Sequence, residues 1–292
     1  MKKTGVLVLS LIALLLVSCG TTSTVPITGR KQKLLVSDEQ VLSLSNQQYQ
    51  EYMKTAKLST NATNSAMVKR VGQKLAAAVV SYLNSNGLSS EASTYSWEFS
   101  LVKDDNVNAF CMPGGKIVVY EGLLPVTRDE ASLAIVLGHE IAHAVAKHSA
   151  ERLSNQVRQQ YGGQILSAVL TGAGASTNLQ QLGTTVFGLG SNLGSAAYSR
   201  KQESEADHLG LIFAAMAGYD PSGAVSFWQR MSESTGGGSS SLFSDHPSDA
   251  SRISNIKSWM PEALKYYGGG SSSKSSKTPQ TTKTIHISSG KK

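Results

Sequence analysis

Cysteine is almost absent from this chain: two residues, Cys19 and Cys111, in 292. Cys19 directly follows an N-terminal leader and reads as an acylated residue, so Cys111 is left as the free thiol and no internal disulfide can brace the domain. The fold has to be held by a buried core, with a bound metal as the other available brace. Long apolar runs are also lacking. Val6 to Val17 is apolar for about 12 residues, short of the roughly 20 that span a bilayer as a helix, and no later stretch is long and apolar enough. An ordinary transmembrane helix is therefore not expected. Charge of one sign is missing where a nucleic-acid partner would need it. The formal net charge is +7, yet Lys2, Lys3, Lys274, Lys277, Lys283, Lys291 and Lys292 account for all of it, because no acid accompanies them at either end. The middle of the chain is neutral, and nucleic acid is set aside as a ligand. With 40% hydrophobic and 16% charged residues, what remains reads as a globular domain.

Lys2 and Lys3, the apolar run and the small residue Ser18 follow the order of a secretory signal peptide over residues 1–18. Leu16-Val17-Ser18-Cys19 resembles a bacterial lipobox, which implies diacylglycerol on the Cys19 thiol; a plain cleaved signal is the alternative. Gly20, rather than Asp, after the cysteine implies by the same resemblance an outer-membrane destination, where acyl chains anchor a soluble domain. Residues 19–37, with the Thr, Ser and Pro of Thr21 to Gly29, read as lipidated cysteine and tether. A domain over 38–267 follows, and the Gly-, Ser-, Thr- and Lys-rich tail over 268–292 is expected to be disordered.

Within the domain, Ser37-Asp-Glu-Gln40 supplies a cap for a helix over about Asp38 to Ala56. Met67, Val71, Leu75, Val79 and Leu83 recur at fourfold spacing and predict a second helix over about Ser65 to Leu83. Tyr95 to Lys103, Val107 to Phe110 and Lys116 to Tyr120 carry strand patterns around a Pro113-Gly-Gly turn and predict a small antiparallel sheet. Asp129 to Arg152 is strongly helical, and further helices are expected near Val157 to Leu170, Arg200 to Met216, Pro221 to Ser234 and Ser248 to Trp259. The predicted class is α+β, mostly α. Between Arg158 and Arg200 no residue is charged and glycines recur, which reads as a closely packed connection or, alternatively, as a mobile lid or membrane-facing segment.

His139-Glu140-Ile-Ala-His143 falls inside a predicted helix. Four residues are close to one turn, so both imidazoles leave from one face about 6 Å apart and can grip one zinc ion. Glu140 lies beside them, where a carboxylate can take a proton from water at the metal and later hand it to a leaving amine. Leu133, Ile135, Val136, Ile141 and Val145 make this a buried helix, and buried histidines side by side need a partner. Two histidines leave a catalytic zinc one protein ligand short. In Arg200-Lys-Gln-Glu203-Ser-Glu205-Ala-Asp207, Glu203 and Asp207 share a face through their i, i+4 spacing. Glu203 is assigned to the metal, and Asp207 to the second ring N–H of a ligating histidine, which it orients. Glu205 points away and is the rival ligand if the helix is rotated; a solvated acidic patch is the bland alternative. His148, about 140° round the helix from His143, is expected to be structural, His208 faces elsewhere and His286 lies in the tail. His246 in Asp245-His246-Pro247, and Arg252, are cations that could stabilise the oxyanion formed when water attacks a peptide carbonyl; a surface turn is the alternative.

This combination resembles the zinc metallopeptidase family of HtpX and the CAAX prenyl endopeptidases, in its bacterial lipoprotein branch. The likeness covers most of the domain and extends to Pro26-Ile-Thr-Gly-Arg30, to Asn108-Ala-Phe-Cys-Met-Pro-Gly-Gly115, to His148, and to Asp245-His246-Pro247 with Arg252. It implies a helical zincin-like fold whose small sheet sets an edge strand beside the site. One Zn2+ would be held by His139, His143 and Glu203, with Glu140 as general base and acid. Asn108, Ala109 and Phe110 would align an extended substrate by β-augmentation. His246 would lie at the metal, either on the oxyanion or as a fourth ligand that keeps the enzyme latent. The expected activity is a zinc-dependent endopeptidase acting on unfolded or misassembled cell-envelope polypeptides. Its expected place is the periplasmic face of a Gram-negative-type outer membrane, with outer-membrane assembly machinery as a candidate partner. The alternative is a latent protease acting mainly as a periplasmic chaperone or assembly factor. The chain carries no helical-repeat domain after the catalytic region and lacks the membrane helices of the prenyl-peptide enzymes, which favours the short exported form.

Overall fold

Helix starts are set by local side chains in the computed structural model, which describes residues 20–161, 198–234 and 251–268. Ser37 caps α1 (Asp38–Thr55) through a reciprocal box: its hydroxyl accepts the Gln40 N–H at 3.3 Å and the Gln40 side chain accepts the Ser37 N–H at 3.0 Å. Asn61 caps α2 (Ala62–Ser85), and Asp129 caps α3 (Glu130–Val145) by accepting the Ser132 N–H at 2.7 Å. After α4 (His148–Tyr161), a second capping box of Ser199 and Gln202 opens α5 (Arg200–Met216), and α6 (Ala224–Ser234) and α7 (Arg252–Ala263) complete the longer helices among the described residues. The fold is α+β and mostly α. The signal segment, Cys19, most of the uncharged glycine-rich connection, His246 and all but the first residue of the tail lie outside the described residues.

Three features differ from the sequence expectation. The stretch expected as one helix from Asp129 to Arg152 is two. Its break is at Lys147, whose φ of 54° lies in the left-handed region. The Lys147 ammonium bridges Asp38 Oδ2 at 2.7 Å and Glu91 Oε2 at 2.8 Å, and Gln32 Nε2 donates to the Ala146 carbonyl at 2.9 Å, so long-range contacts hold a kink that no glycine or proline announces. Next, the segment read as a tether is an antiparallel hairpin of β1 (Thr21–Thr24) and β2 (Lys31–Leu34), with Thr21 opposite Leu34 and Thr24 opposite Lys31. Val25, Leu34 and Val36 are buried beneath it. Finally, the sheet is mixed. β4 (Ala109–Met112) pairs antiparallel to β5 (Lys116–Tyr120) as expected, but β3 (Glu98–Val102) joins the other side of β5 in parallel. The chain leaving β3 does not turn back beside it; the Asp104 carbonyl is pinned at the far end of β5 by the Gly122 N–H at 2.9 Å.

The outer side of β3 is covered by residues 57–59, where the Lys103 N–H donates to the Lys57 carbonyl and the Ser59 N–H to the Leu101 carbonyl. Among the described residues β4 is left as the edge. The main core lies between the sheet and α2, α3 and α5. On α2 the stripe is Val68, Val71, Leu75, Val79 and Leu83, with Val68 in place of the expected Met67 because Met67 is only half-buried. α3 is buried on every side from Ser132 to Val145, as an apolar helix with no solvent face must be. A second cluster under the hairpin joins Leu34, Val36, Val41, Leu44, Met112 and Leu153.

α3 and α5 touch through their backbones at two glycines. A Cβ on Gly138 would stand 2.6 Å from the Gly210 carbonyl oxygen, and one on Gly210 would stand 2.6 Å from the His139 nitrogen. Gly210 follows Glu203 and Asp207 on the same face of α5, so this crossing carries both acids to the helix that bears the histidines. Because the obstructing atoms are backbone, Gly210→Ala is expected to destabilise the fold by about 1–3 kcal/mol, whereas Gly223→Ala, with nothing within 4 Å of its Cβ position, stays near neutral. Urea denaturation of both variants checks this; equal midpoints contradict the close crossing.

Candidate metal centre

The α3–α5 crossing brings three donor groups to one point. His139 Nε2 and His143 Nε2 lie 3.0 Å apart, and the Glu203 carboxylate reaches them at 3.4 Å and 3.3 Å. Each is buried, and among the described residues these three form a cluster able to hold a metal ion. The distances fit the group that the sequence suggests. Zinc bonds of about 2.0–2.1 Å at tetrahedral angles separate neighbouring ligands by about 3.3 Å. Two ring nitrogens and a carboxylate oxygen are also donors that zinc accepts, with one position left for water.

Each histidine is held from behind. His139 Nδ1 donates to Asp207 Oδ1 at 2.9 Å, which leaves the Nε2 lone pair facing the other donors. Asp207 is itself bound by Arg252, whose Nε donates to Oδ2 at 2.7 Å and whose Nη2 donates to Oδ1 at 3.1 Å and to Glu203 Oε2 at 3.2 Å. Burial would raise Asp207, but the Arg252 charge and the His139 hydrogen bond bring it below the usual carboxylate range. The guanidinium also lies 3.9 Å over the Trp228 ring, which stands 6.0 Å from the His139 ring. Read from sequence as a candidate oxyanion stabiliser, Arg252 is instead a buried cation on two carboxylates, which positions Glu203 and Asp207.

The other histidine is held through a residue that the continuous-helix reading had turned away. The break at Lys147 swings His148 back, so that its Nδ1 lies 2.9 Å from His143 Nδ1 and its Nε2 lies 3.0 Å from Glu205 Oε2. A carboxylate only accepts here, so His148 carries its proton on Nε2; burial keeps it neutral, and its Nδ1 then accepts from His143 Nδ1–H. His143, which burial pushes well below its ordinary value, is likewise neutral and presents the Nε2 lone pair. Glu205 thus stands outside the cluster of His139, His143 and Glu203 and holds His148. Tyr198 completes this side, stacking on His143 at 4.0 Å with its hydroxyl 2.9 Å from Ser149 Oγ and the Arg152 guanidinium over its other face. Neither Tyr198 nor Trp228 stood out in sequence, since a single aromatic residue at a helix start or on a core stripe carries no periodic signal. His208 pairs with Glu262 at 2.7 Å, away from this cluster.

Glu140 follows His139 and is 2% exposed. The Cys111 thiol of β4 is pushed up by burial and then by the Glu140 charge, and β4 packs against α3, the helix that carries this carboxylate. The residues expected to meet substrate do not offer side chains. Asn108 and Ala109 are buried, the Asn108 side chain accepts the Ala109 N–H at 2.9 Å, and the half-buried Phe110 packs edge-on against Tyr52 and Tyr120. What β4 offers is its main-chain edge.

Comparison with known proteins follows the same residues. The profile of peptidase family M48 matches residues 62–260. The mitochondrial metalloendopeptidase OMA1 of Schizosaccharomyces pombe is 40% identical over 170 residues, covering 57% of this chain and 48% of that protein. The mitochondrial metalloendopeptidase OMA1 of Homo sapiens is 31% identical over 245 residues, covering 82% of this chain and 46% of its own. The metalloprotease LoiP of Escherichia coli is 30% identical over 234 residues, covering 78% of this chain and 84% of its own. The chain therefore spans about half the length of the OMA1 proteins and most of LoiP.

The carboxylates make this centre a place for positive charge. Burial works against a charged His139, yet hydrogen bonds to Asp207 and Glu203 lift it to about 10 from an ordinary value of 6.5. In chelator-treated protein that pairing stabilises the fold fully below pH 6.5 and is lost as pH rises through about 10. The urea midpoint of chelated protein is expected to fall across that window, while that of zinc-loaded protein, whose metal supplies the charge, stays flat. A flat midpoint after chelation contradicts this electrostatic reading.

Proposed function

Since the chain belongs to peptidase family M48, we propose that it is a zinc-dependent endopeptidase that hydrolyses peptide bonds in unfolded or misassembled cell-envelope polypeptides. The observation that carries this reading is the convergence of His139 Nε2, His143 Nε2 and the Glu203 carboxylate within 3.0–3.4 Å, beside Glu140 on the same buried helix. These three would hold the ion. Bound zinc would supply Lewis acidity, stabilising charge on a carbonyl oxygen and making water a nucleophile at neutral pH.

The chain's own groups do the rest. Glu140 takes the proton of the attacking water and returns it to the leaving amine. Asp207 and His148 keep both histidines in the tautomer that offers Nε2, and Arg252 holds Glu203 against rotation. An extended substrate would add to β4, the edge strand among the described residues, taking its direction from main-chain hydrogen bonds and so accepting many sequences, as clearance of unfolded chains requires. The leader over 1–18 and Cys19 support an exported, lipid-anchored bacterial protein at the periplasmic face of an outer membrane. Among the described residues no helix is long and apolar enough to cross a membrane.

The test is cleavage of a reduced, unfolded model protein by the zinc-loaded chain and by Glu140→Gln. Cleavage is expected to fall by about 10²–10⁴-fold in the variant while one zinc per chain is retained in both. Equal cleavage by the two contradicts the reading.

A further inference from the structure

The hairpin that stands where a tether was expected reaches the metal centre through one line of side chains. Thr28 Oγ1 donates to Glu205 Oε1 at 2.6 Å and Arg30 Nε donates to Glu205 Oε2 at 2.6 Å, so both carboxylate oxygens are taken by the turn between β1 and β2. The other end of the guanidinium is bidentate on Glu151 of α4, with Nη1 at 2.7 Å and Nη2 at 3.0 Å, and Glu151 also accepts from Gln202 of α5 at 2.8 Å. Arg30 therefore locks α4 to α5 at the position where Glu205 meets His148. The Arg30 and Glu205 side chains are only 14% and 6% exposed. A pair so far out of water is strongly coupled to its neighbours, and loss of one partner leaves the other charge uncompensated.

The geometry matters because neutral His143 has two tautomers, and only the Nδ1–H form leaves Nε2 for a metal. Its Nδ1 proton meets His148 Nδ1 at 2.9 Å, and that nitrogen is an acceptor only while His148 Nε2–H is engaged by Glu205. We propose that the β1–β2 hairpin is a positioning part of the metal centre: Thr28 and Arg30 hold Glu205, Glu205 holds His148, and His148 keeps His143 in the form that offers Nε2 to the ion. The inference rests on the zinc reading above. It makes the segment next to Cys19 a component of the site rather than a spacer.

The test uses the full chain, with zinc affinity from chelator competition and the absorption spectrum of the Co2+-substituted protein as readouts. Arg30→Ala and Glu205→Gln are each expected to weaken zinc binding about 10–100-fold and to shift the Co2+ bands alike. Because both act through one line, the double variant should bind zinc within about threefold of Glu205→Gln alone. Thr28→Val removes one hydrogen bond and no charge, and its expected loss of about threefold keeps the test open if Arg30→Ala does not fold. Arg30→Ala and Thr28→Val binding zinc as the parent does, or losses that multiply in the double variant, would overturn the proposal. His143→Ala separates the two levels: if it binds zinc as tightly as the parent, the zinc reading itself fails and the clasp with it.

Discussion

The contact between Gly138 and Gly210 governs the rest of this molecule. Where α3 crosses α5 backbone meets backbone, and at that crossing the Glu203 carboxylate of α5 lies 3.3–3.4 Å from the two imidazoles of α3. Gly138 precedes His139, while Gly210 lies on the same face of α5 as Glu203 and Asp207. The closest approach therefore coincides with the donors. The cost of two glycines within helices, roughly 1 kcal/mol each relative to alanine, is met by the burial of α3 on every side.

Around that crossing the structure solves one problem twice. A buried neutral imidazole is a useful ligand only when its outward nitrogen has an acceptor for its proton, and each histidine has its own. For His139 the acceptor is a carboxylate, Asp207, stiffened by Arg252; for His143 it is another imidazole, His148, backed by Glu205. The two supports come from different parts of the chain. One depends on α7, which carries Arg252, the other on the hairpin that carries Thr28 and Arg30. The centre is thus a meeting point of nearly all the packed elements, which couples ordering of the fold to ordering of the donors.

Much of this was legible in the residues. Helical period alone placed His139, Glu140 and His143 together, and the i, i+4 spacing of Glu203 and Asp207 placed an acid pair on one face, because both are local geometry. Glu205 was turned away from the two histidines, but its use was invisible. Its partners Thr28 and Arg30 lie 177 and 175 residues away in the chain, and no periodic pattern reports such pairs. The kink at Lys147 was hidden for a related reason: it is imposed by Asp38, Glu91 and Gln32, while the local sequence favours continuing the helix. That single miss misplaced His148. The hairpin looked like a tether because its strands are polar, and the large apolar side chains it buries, Leu34 with Val25 and Val36 just outside the strands, are few. Strand patterns found β3, β4 and β5, but direction is topology, and the parallel pairing of β3 with β5 had no local signature.

The central claim is that one zinc sits between His139, His143 and Glu203, and anomalous diffraction from crystals of the zinc-loaded protein tests it most directly. The account predicts a single peak about 2.0–2.2 Å from His139 Nε2, His143 Nε2 and a Glu203 carboxylate oxygen, with Glu205 still on His148. A peak ligated by Glu205, a zinc on His143 Nδ1, or no zinc at this crossing would contradict it.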